Sequence, residues 1–416
     1  MAEGYGNMRC GLIGEHLGHS FSAIIHKRIA DYSYELIELE PKEVEAFVKS
    51  RELDGYNVTI PYKKTVMPYL DRISPEALRI GAVNTVVRRA DGSLDGYNTD
   101  YFGFSEMLSA LGVSVKGKKV LVLGSGGASA TVRTVLSDRG AIPIVVGRRL
   151  ENNYENLYIH SDAAVIVNTT PVGMYPNNGE SPVSLADFPS CEAVLDVIYN
   201  PARTSLLLEA ERLGIPHING LRMLVAQAVR AFELFTGEAA EPSVIDRITA
   251  EISFETGNII IVGMPGCGKS TVGKRIADIL GRPFFDADGE FSLMHGITPA
   301  EAIATYGEEH FRELEHKTLC ELCKRSGAVI ATGGGAVTRE YNYEPLHQNG
   351  TVVYLRRELS RLSSEGRPLS QRVGVEKLYE NRRALYESFA DLTVDSTEEP
   401  QKTARLIIDK IKESRK

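Results

Sequence analysis

The sequence predicts an α/β protein built on parallel sheets, and three observations carry that prediction. Short apolar runs alternate with amphipathic stretches along almost the whole chain. Two of the runs lead directly into a glycine-rich loop and then a helical pattern: "KKVLVLGSGGASATVRTVL" at 118–136 and "IIIVGMPGCGKSTVGKRIADIL" at 259–280. The chain has 416 residues, which corresponds to about two to four domains at roughly 100–200 residues each.

In chain order, "RCGLIG", "YNVTIPY", "KVLVLG", "AIPIVVG", "AAVIVNTT", "EAVLDVIY", "NIIIVG", "AVIATGGG" and "TVVYLRR" read as strands, rich in Val and Ile and bounded by Gly or Pro. Between them "SPEALRIG", "SATVRTVLSDRG" and "RTSLLLEAERLG" read as helices. Such alternation implies parallel sheets covered by helices on both faces. The clearest seam is "EPSVIDRITAEISFETGN", where a helix gives way to a short polar stretch before a strand at Asn258, so the main boundary is expected near residue 255. The sequences around the two glycine loops do not match, so the loops are not a duplication.

Hydrophobic residues make up 43% and charged residues 25%, as in ordinary globular proteins. A net charge of -8 excludes a generally basic nucleic-acid footprint. No run reaches the ~18 apolar residues of a membrane span. The start, "MAEGYGNMRCGLIGEHLGHS", lacks a basic region followed by an apolar core, so no signal peptide is expected. Five cysteines do not suggest a disulfide scaffold, and a reducing, cytoplasmic setting fits. Cys320 and Cys323 form a C-x-x-C within a helical stretch, where two half-buried helix cysteines outweigh redox or metal use.

The second loop matches G-x-x-x-x-G-K-S at Gly263, Gly268, Lys269 and Ser270. Its glycines bring backbone N–H groups to phosphate oxygens, Lys269 places a charge on the β and γ phosphates, and the Ser270 hydroxyl is a magnesium ligand. The following helix adds its positive dipole end. "FFDADGEF" places Asp286 and Asp288 two apart after a strand-like run, on the same side of an extended chain. They suit magnesium-bound water and an acceptor hydroxyl; the plainer alternative is a pair of solvated acids. Arg312, Arg367 and Arg382, with the glycines 333–335, suit an anionic acceptor, because guanidinium grips carboxylate with two hydrogen bonds.

From about 257 to 416 the chain resembles shikimate kinase, a phosphate-loop small-molecule kinase. The resemblance implies an ATP site at Gly266, Cys267, Gly268, Lys269, Ser270 and Thr271, with Arg361 along the adenine and Arg367 reaching the transferring phosphoryl group from a mobile lid. It implies shikimate binding by Asp288, Arg312, Gly334 and Arg382, and magnesium held by Ser270 and, through water, by Asp286. The spacing from Arg361 to Arg367 is slightly short for the family, and Ala384 stands where the family has proline before "LY".

The first loop, "GSGGAS", offers Gly124, Gly126 and Ser129 in a dinucleotide-type pattern after a strand and before a helix. The next strand ends in Arg148 and Arg149, where an NAD site usually carries an acid; two arginines favour the 2′-phosphate of NADP. Upstream lie Ser20 and Ser22 in "GHSFS", Lys63 ending "YNVTIPYK", Asn84 in "GAVNT", and Asn98 and Asp100 in "GYNTD". A lysine and an aspartate on separate elements are most often a surface ion pair. Ketone reduction, however, needs a proton donor beside the forming alkoxide, and an ammonium tuned by a carboxylate can serve.

From about 8 to 250 these motifs resemble shikimate dehydrogenase: S-x-S, N-V-T-x-P-x-K from Asn57 to Lys63, G-A-V-N-T, N-T-D, the glycine loop, "NTTPVGM" from Asn168 and "GLRMLVAQA" from Gly220. The resemblance implies catalytic Lys63 and Asp100, and shikimate binding by Ser20, Ser22, Thr59, Asn84, Asp100, Tyr199 and Gln227. It implies an NADP site at Gly124, Ser125, Gly126, Gly127, Ala128, Arg148 and Arg149, with Val197 and Gly220 facing the nicotinamide. Gly147-Arg148-Arg149 replaces the family's N-R-T, and the stretch from Leu150 to Ala163 is short, so a crossover element is expected to be reduced.

The expected architecture is therefore a substrate domain at 1–100 completed by 221–250, a Rossmann-like NADP domain at 101–220, a linker at 251–257 and a phosphate-loop kinase domain at 258–416. Each nucleotide site has its own strand, loop and helix, which predicts two halves that work independently. The two resemblances imply consecutive reactions: NADPH-dependent reduction of 3-dehydroshikimate to shikimate, then its phosphorylation by ATP with Mg2+. The expected partners are these small molecules, with no nucleic acid and no membrane; the sequence leaves oligomeric state open. The alternatives are a catalytically silent nucleotide-sensing second half, or acceptors changed to quinate and gluconate.

Overall fold

The computed structural model describes residues 5–18, 21–362 and 374–414, so Ser20 and Arg367 lie outside the described residues. The chain forms two compact units. The first comprises 1–172, 181–199 and 209–249; the second comprises 173–180, 200–208 and 250–416.

The first unit holds two sheets. Strands β1 (Arg9–Gly14), β2 (Ser33–Glu38), β3 (Gly55–Val58), β4 (Arg72–Ile73), β5 (Thr85–Arg88) and β6 (Leu94–Tyr97) form a sheet in the order β2-β1-β3-β5-β6-β4. β1 pairs in parallel with β2 and β3, as the apolar run at Cys10–Ile13 requires of a strand buried on both faces. The sheet departs from the expected parallel pattern at β5, which runs antiparallel to β3 and β6. The reason is local: β5 and β6 are joined by a tight turn through Asp91 and Gly92, where Gly92 takes φ +81°.

Strands β7 (Lys119–Leu123), β8 (Ile142–Val146), β9 (Val165–Asn168), β10 (Ala193–Asp196) and β11 (His217–Ile218) form an all-parallel sheet in the order β11-β10-β9-β7-β8. Strand order reverses at β7, which is where open α/β sheets bind ligands beyond the carboxyl ends of their strands. Between β8 and β9 the connection carries only a 3-10 turn, Leu157–His160, so the short 150–163 stretch has lost its crossover helix.

The second unit carries a parallel sheet in the order β13-β14-β12-β15-β16, from β12 (Asn258–Val262), β13 (Phe284–Asp286), β14 (Val329–Ala331), β15 (Gly350–Arg356) and β16 (Leu392–Asp395). β12 is central and wholly buried. Two apolar clusters cover its faces, one around Ile260, Leu319 and Tyr354, the other around Ile261, Ile276 and Ile407.

The stretch read as a polar seam is helical. One helix runs Val244–Thr256 and only Gly257 separates it from β12. Ile245, Ile248 and Ile252 recur at helical spacing and are buried, so the acids between them are simply the helix's other face. Among the described residues no helix is long and apolar enough to cross a membrane.

Candidate active sites

In the first unit, the loop after β3 delivers Lys63 and the helix Thr99–Leu111 begins with Asp100 in its first turn. Lys63 Nζ donates to Asp100 Oδ2 at 2.7 Å, with both side chains mostly shielded. The helix is held close to Leu221–Thr236 because Gly103 has no side chain: a β-carbon there would lie 2.6 Å from the Met223 carbonyl oxygen. That close packing brings Gln227 within reach of Thr99, whose hydroxyl lies 3.5 Å from Gln227 Oε1.

Asn84 is fixed in one orientation. Its Oδ1 accepts from the Thr99 backbone N–H at 2.7 Å and from the Thr85 hydroxyl at 3.1 Å. With its carbonyl occupied, the amide NH2 is the side chain's remaining hydrogen-bonding group. Thr85 in turn accepts from Asn57 Nδ2 at 3.0 Å, and Asn57 Oδ1 accepts from the Tyr34 hydroxyl at 2.8 Å. Ser22, buried in the first turn of the helix Ser22–Ile29, hydrogen-bonds Tyr34. One network thus joins Ser22, Asn84 and Gln227. Tyr34, Asn57, Thr85 and Thr99 were not among the expected site residues; Asn57, Thr85 and Thr99 are signalled only by their place in the motifs around Asn57, Asn84 and Asp100, and Tyr34, in β2, lies in none of them. Thr59 is half-buried just past β3, and Tyr199 meets Phe21 edge-on at 5.9 Å between ring centres.

The dinucleotide-type loop sits at the switch point of the second sheet. Gly124 leaves β7 at φ +105° and its N–H donates to Val146 O at 2.8 Å. The helix Gly127–Asp138 starts at once, with Gly126 as its cap, so Ser125, Gly126, Gly127 and Ala128 line a helix N-terminus. Arg148 and Arg149 follow neighbouring β8 and are exposed at the same edge. Gly220 and Val197 are in backbone contact: a β-carbon at Gly220 would lie 2.0 Å from the Val197 carbonyl oxygen.

In the second unit, the loop after β12 leads into the helix Lys269–Leu280. Gly266 and Gly268 take φ +85° and +100°, conformations that free the intervening N–H groups to turn inward. Lys269 Nζ is buried and donates to the Gly263 and Met264 carbonyls at 2.9 and 3.1 Å. Cys267 is buried under the loop, and Thr271 is exposed in the helix's first turn. The Ser270 hydroxyl donates to Asp286 Oδ2 at 2.5 Å. A hydroxyl and a carboxylate are the hard oxygen donors that suit magnesium and its waters.

Asp286 and Asp288 do not share an extended chain. Asp286 ends β13 and caps the helix Ala287–His295, accepting from the Asp288 N–H at 3.2 Å, so Asp288 lies in that helix's first turn. Burial, reinforced by Asp286, pushes the Asp288 carboxyl up, against the pull of Lys269 and Arg312.

The glycine triplet makes room for the acceptor groups. A β-carbon at Gly333 would lie 2.8 Å from Glu315 Oε1 and 3.1 Å from Asp288 Oδ1, and one at Gly335 would strike the Arg312 guanidinium. Arg312 is 3% exposed, donates to Glu315 at 2.7 Å and Glu308 at 3.1 Å, and keeps a buried Nε without a partner. Burial opposes the Arg312 charge, but these two acids raise its affinity for the proton. Arg382 donates to Gly334 O at 3.0 Å. Glu315 was not foreseen; its signal was an acid three residues after an arginine on one helix face. Arg361 lines an open cavity of about 580 Å³ with Arg357, Tyr379 and Ser396.

The comparisons with known proteins now bear on these two sites. Residues 12–86 match the model of the shikimate dehydrogenase substrate binding domain, and 220–247 that of the shikimate 5'-dehydrogenase C-terminal domain. A shikimate dehydrogenase (NADP(+)) of Caldanaerobacter subterraneus is 40% identical over 256 residues, which are 55% of this chain and 91% of that protein. The chain belongs to the shikimate dehydrogenase family. Residues 265–412 match the shikimate kinase model, so the chain is a dehydrogenase–kinase fusion. A chorismate mutase/shikimate 5-dehydrogenase fusion from Clostridium acetobutylicum aligns with a TM-score of 0.56 at 39% identity, covering 58% of this chain and 96% of that one. The shikimate 5-dehydrogenase of Thermus thermophilus, solved with NADP(H) and shikimate, aligns with a TM-score of 0.54 at 34% identity, covering 59% and 99%. The dehydrogenase part is therefore a Rossmann-like α/β enzyme and the kinase part a phosphate-loop enzyme, as their motifs implied.

Proposed function

We propose that this fusion reduces 3-dehydroshikimate to shikimate with NADPH and then phosphorylates shikimate at its 3-hydroxyl with ATP. The dehydrogenase reading rests on one observation above others, the shielded Lys63–Asp100 pair next to an Asn84 whose Oδ1 is held by the Thr99 backbone N–H. Bound NADPH supplies the hydride. Lys63 holds the proton that passes to the ketone oxygen, directly or through a relay, and Asp100 orients the ammonium. Asn84, Ser20, Ser22, Thr59, Tyr199 and Gln227 bind the hydroxyls and carboxylate. Gly124–Ala128 cradle the diphosphate, and Arg148 and Arg149 take the 2′-phosphate.

In the kinase half, Asp288 holds the acceptor hydroxyl while Arg312, Arg382 and Gly334 grip the substrate. Lys269 and Arg367 face the transferring phosphoryl group, whose loose transition state asks chiefly for position and charge. Ser270 and, through water, Asp286 would hold Mg2+, which would supply further neutralisation. The product of the first site is the acceptor of the second. The protein works in the cytoplasm, a reducing setting suited to its five free cysteines.

The test is to supply purified protein with 3-dehydroshikimate, NADPH, ATP and magnesium, following NADPH loss and ADP formation separately. ADP formation that requires NADPH as well as 3-dehydroshikimate supports the paired reading. NADPH loss without ADP formation leaves a dehydrogenase joined to a silent module.

A further inference from the structure

Two short segments of the dehydrogenase sequence, 173–180 and 200–208, belong to the second unit. Each continues a loop that leaves the carboxyl end of a strand in the NADP-type sheet. The first extends the run "NTTPVGM" after β9; the second begins directly after Tyr199, beyond β10.

Within the second unit these segments are held by a built polar network centred on Arg203. The Arg203 backbone N–H donates to Gln348 O at 2.8 Å. Its guanidinium donates from Nε to His347 O at 2.9 Å and from one terminal nitrogen to Gly350 O at 2.6 Å, and the other lies 3.4 Å from Asp391 Oδ1. The Gln348 and His347 carbonyls close the helix Tyr343–Gln348, groups that a helix end leaves without internal partners, and Gly350 opens β15. Arg203 is thus a helix cap delivered from a distant segment. Ser205 bonds Glu344, Asn178 bonds Gln348, and the Tyr175 hydroxyl donates to Cys323 O at 3.3 Å. The two segments are also tied to each other, Tyr175 N–H to Asn200 O at 3.2 Å.

We propose that Arg203 is a positioning residue for the dehydrogenase reaction, holding the 200–208 segment on the kinase fold so that Val197 and Tyr199, immediately before it, are kept in place for nicotinamide and shikimate. This rests on the roles proposed above for Val197 and Tyr199. It departs from the expectation of independent halves, because the anchor of this segment belongs to the second unit.

The experiment uses the full-length chain with Arg203→Ala and Arg203→Lys. Shikimate oxidation by NADP+ and shikimate phosphorylation by ATP are measured separately, with amide hydrogen exchange over 193–200 in the protein alone. Arg203→Ala should raise the dehydrogenase KM for shikimate by roughly three- to thirtyfold, as loss of charged hydrogen bonds implies, with kinase constants within about twofold. Arg203→Lys should fall between, and exchange at 197–200 should quicken in the same order. Unchanged dehydrogenase constants and unchanged exchange in a folded Arg203→Ala protein overturn the proposal. If the wild type does not oxidise shikimate, the functional reading fails and exchange alone decides the positioning claim. If Arg203→Ala does not fold, the double variant Asn178→Ala, Ser205→Ala gives the same comparison on a weaker anchor.

Discussion

Lys63 and Asp100 lie 37 positions apart in sequence and meet at 2.7 Å. Neither is on a surface loop tip. One follows the buried strand β3, and the other sits in a helix whose approach is set by Gly103. An ordinary surface ion pair is worth ~0–1 kcal/mol and fixes nothing. This one is shielded on both sides and lies next to the network that fixes Asn84.

In the proposed function, removing Lys63 removes a preorganised proton donor. Lys63→Ala should lower dehydrogenase kcat by roughly 10²- to 10³-fold while shikimate phosphorylation stays within about twofold. Asp100→Asn keeps the shape and should lower kcat more than it raises KM. The two half-reactions are assayed separately on each variant, with circular dichroism to confirm folding. Loss of both activities in a folded Lys63→Ala protein would contradict this assignment.

The fold was largely legible because glycine loops, β-branched runs and turn residues act locally. All nine strands read from the sequence overlap an observed strand. What escaped was set by tertiary context. Strand β2, "SYELIE", is half exposed and has no continuous apolar run. Strand β16, "LTVD", is short and lies at a sheet edge. Asp288 was placed on extended chain because the helix beginning at Ala287 is announced only by its cap, Asp286. The motifs could be read from sequence, and Glu315 from its spacing to Arg312, whereas Tyr34 becomes visible only through the Asn57 that folding brings to it.

In the proposed function, cofactor choice rests on Arg148 and Arg149, exposed beside the glycine loop. Charge-assisted bonds to a 2′-phosphate are lost one by one. Arg148→Ala should weaken NADPH binding by roughly tenfold or more while NADH binding changes little. Titration of both cofactors against the variant checks this, and equal weakening would move Arg148 away from the 2′-phosphate.

Arg382 is buried, and its guanidinium donates to the Gly334 carbonyl. Lysine keeps the charge but loses the planar fork. Arg382→Lys should raise the kinase KM for shikimate by roughly tenfold and leave ATP affinity nearly unchanged. Steady-state kinetics with each substrate varied in turn separates the two. A fall in ATP affinity alone would place Arg382 on the nucleotide side.

The last prediction concerns acid stability. His26 is fully buried, stacked on Tyr34 at 3.9 Å between ring centres, with Nδ1 bonded to the Tyr32 hydroxyl and Nε2 without a partner. Burial lowers its pKa to about 3, and the nearby Asn57 only partly opposes this. In the unfolded chain the imidazole titrates near ~6.5. Between those values the unfolded state binds a proton that the folded state refuses. Stability from this group is therefore present above ~6.5 and is lost as pH falls toward the folded value, by about 2 kcal/mol at about pH 5. Tyr32, Tyr34 and Cys10, which pack around it, are all pushed upward by burial and stay neutral across that window. His26→Phe keeps an aromatic ring but cannot titrate. Denaturant unfolding of wild type and variant at pH 7 and pH 5, followed by circular dichroism, gives the comparison. The wild type should lose about 2 kcal/mol more than the variant on acidification. Equal losses would mean that His26 is protonated in the folded protein and that its burial is compensated by a partner such as Tyr32.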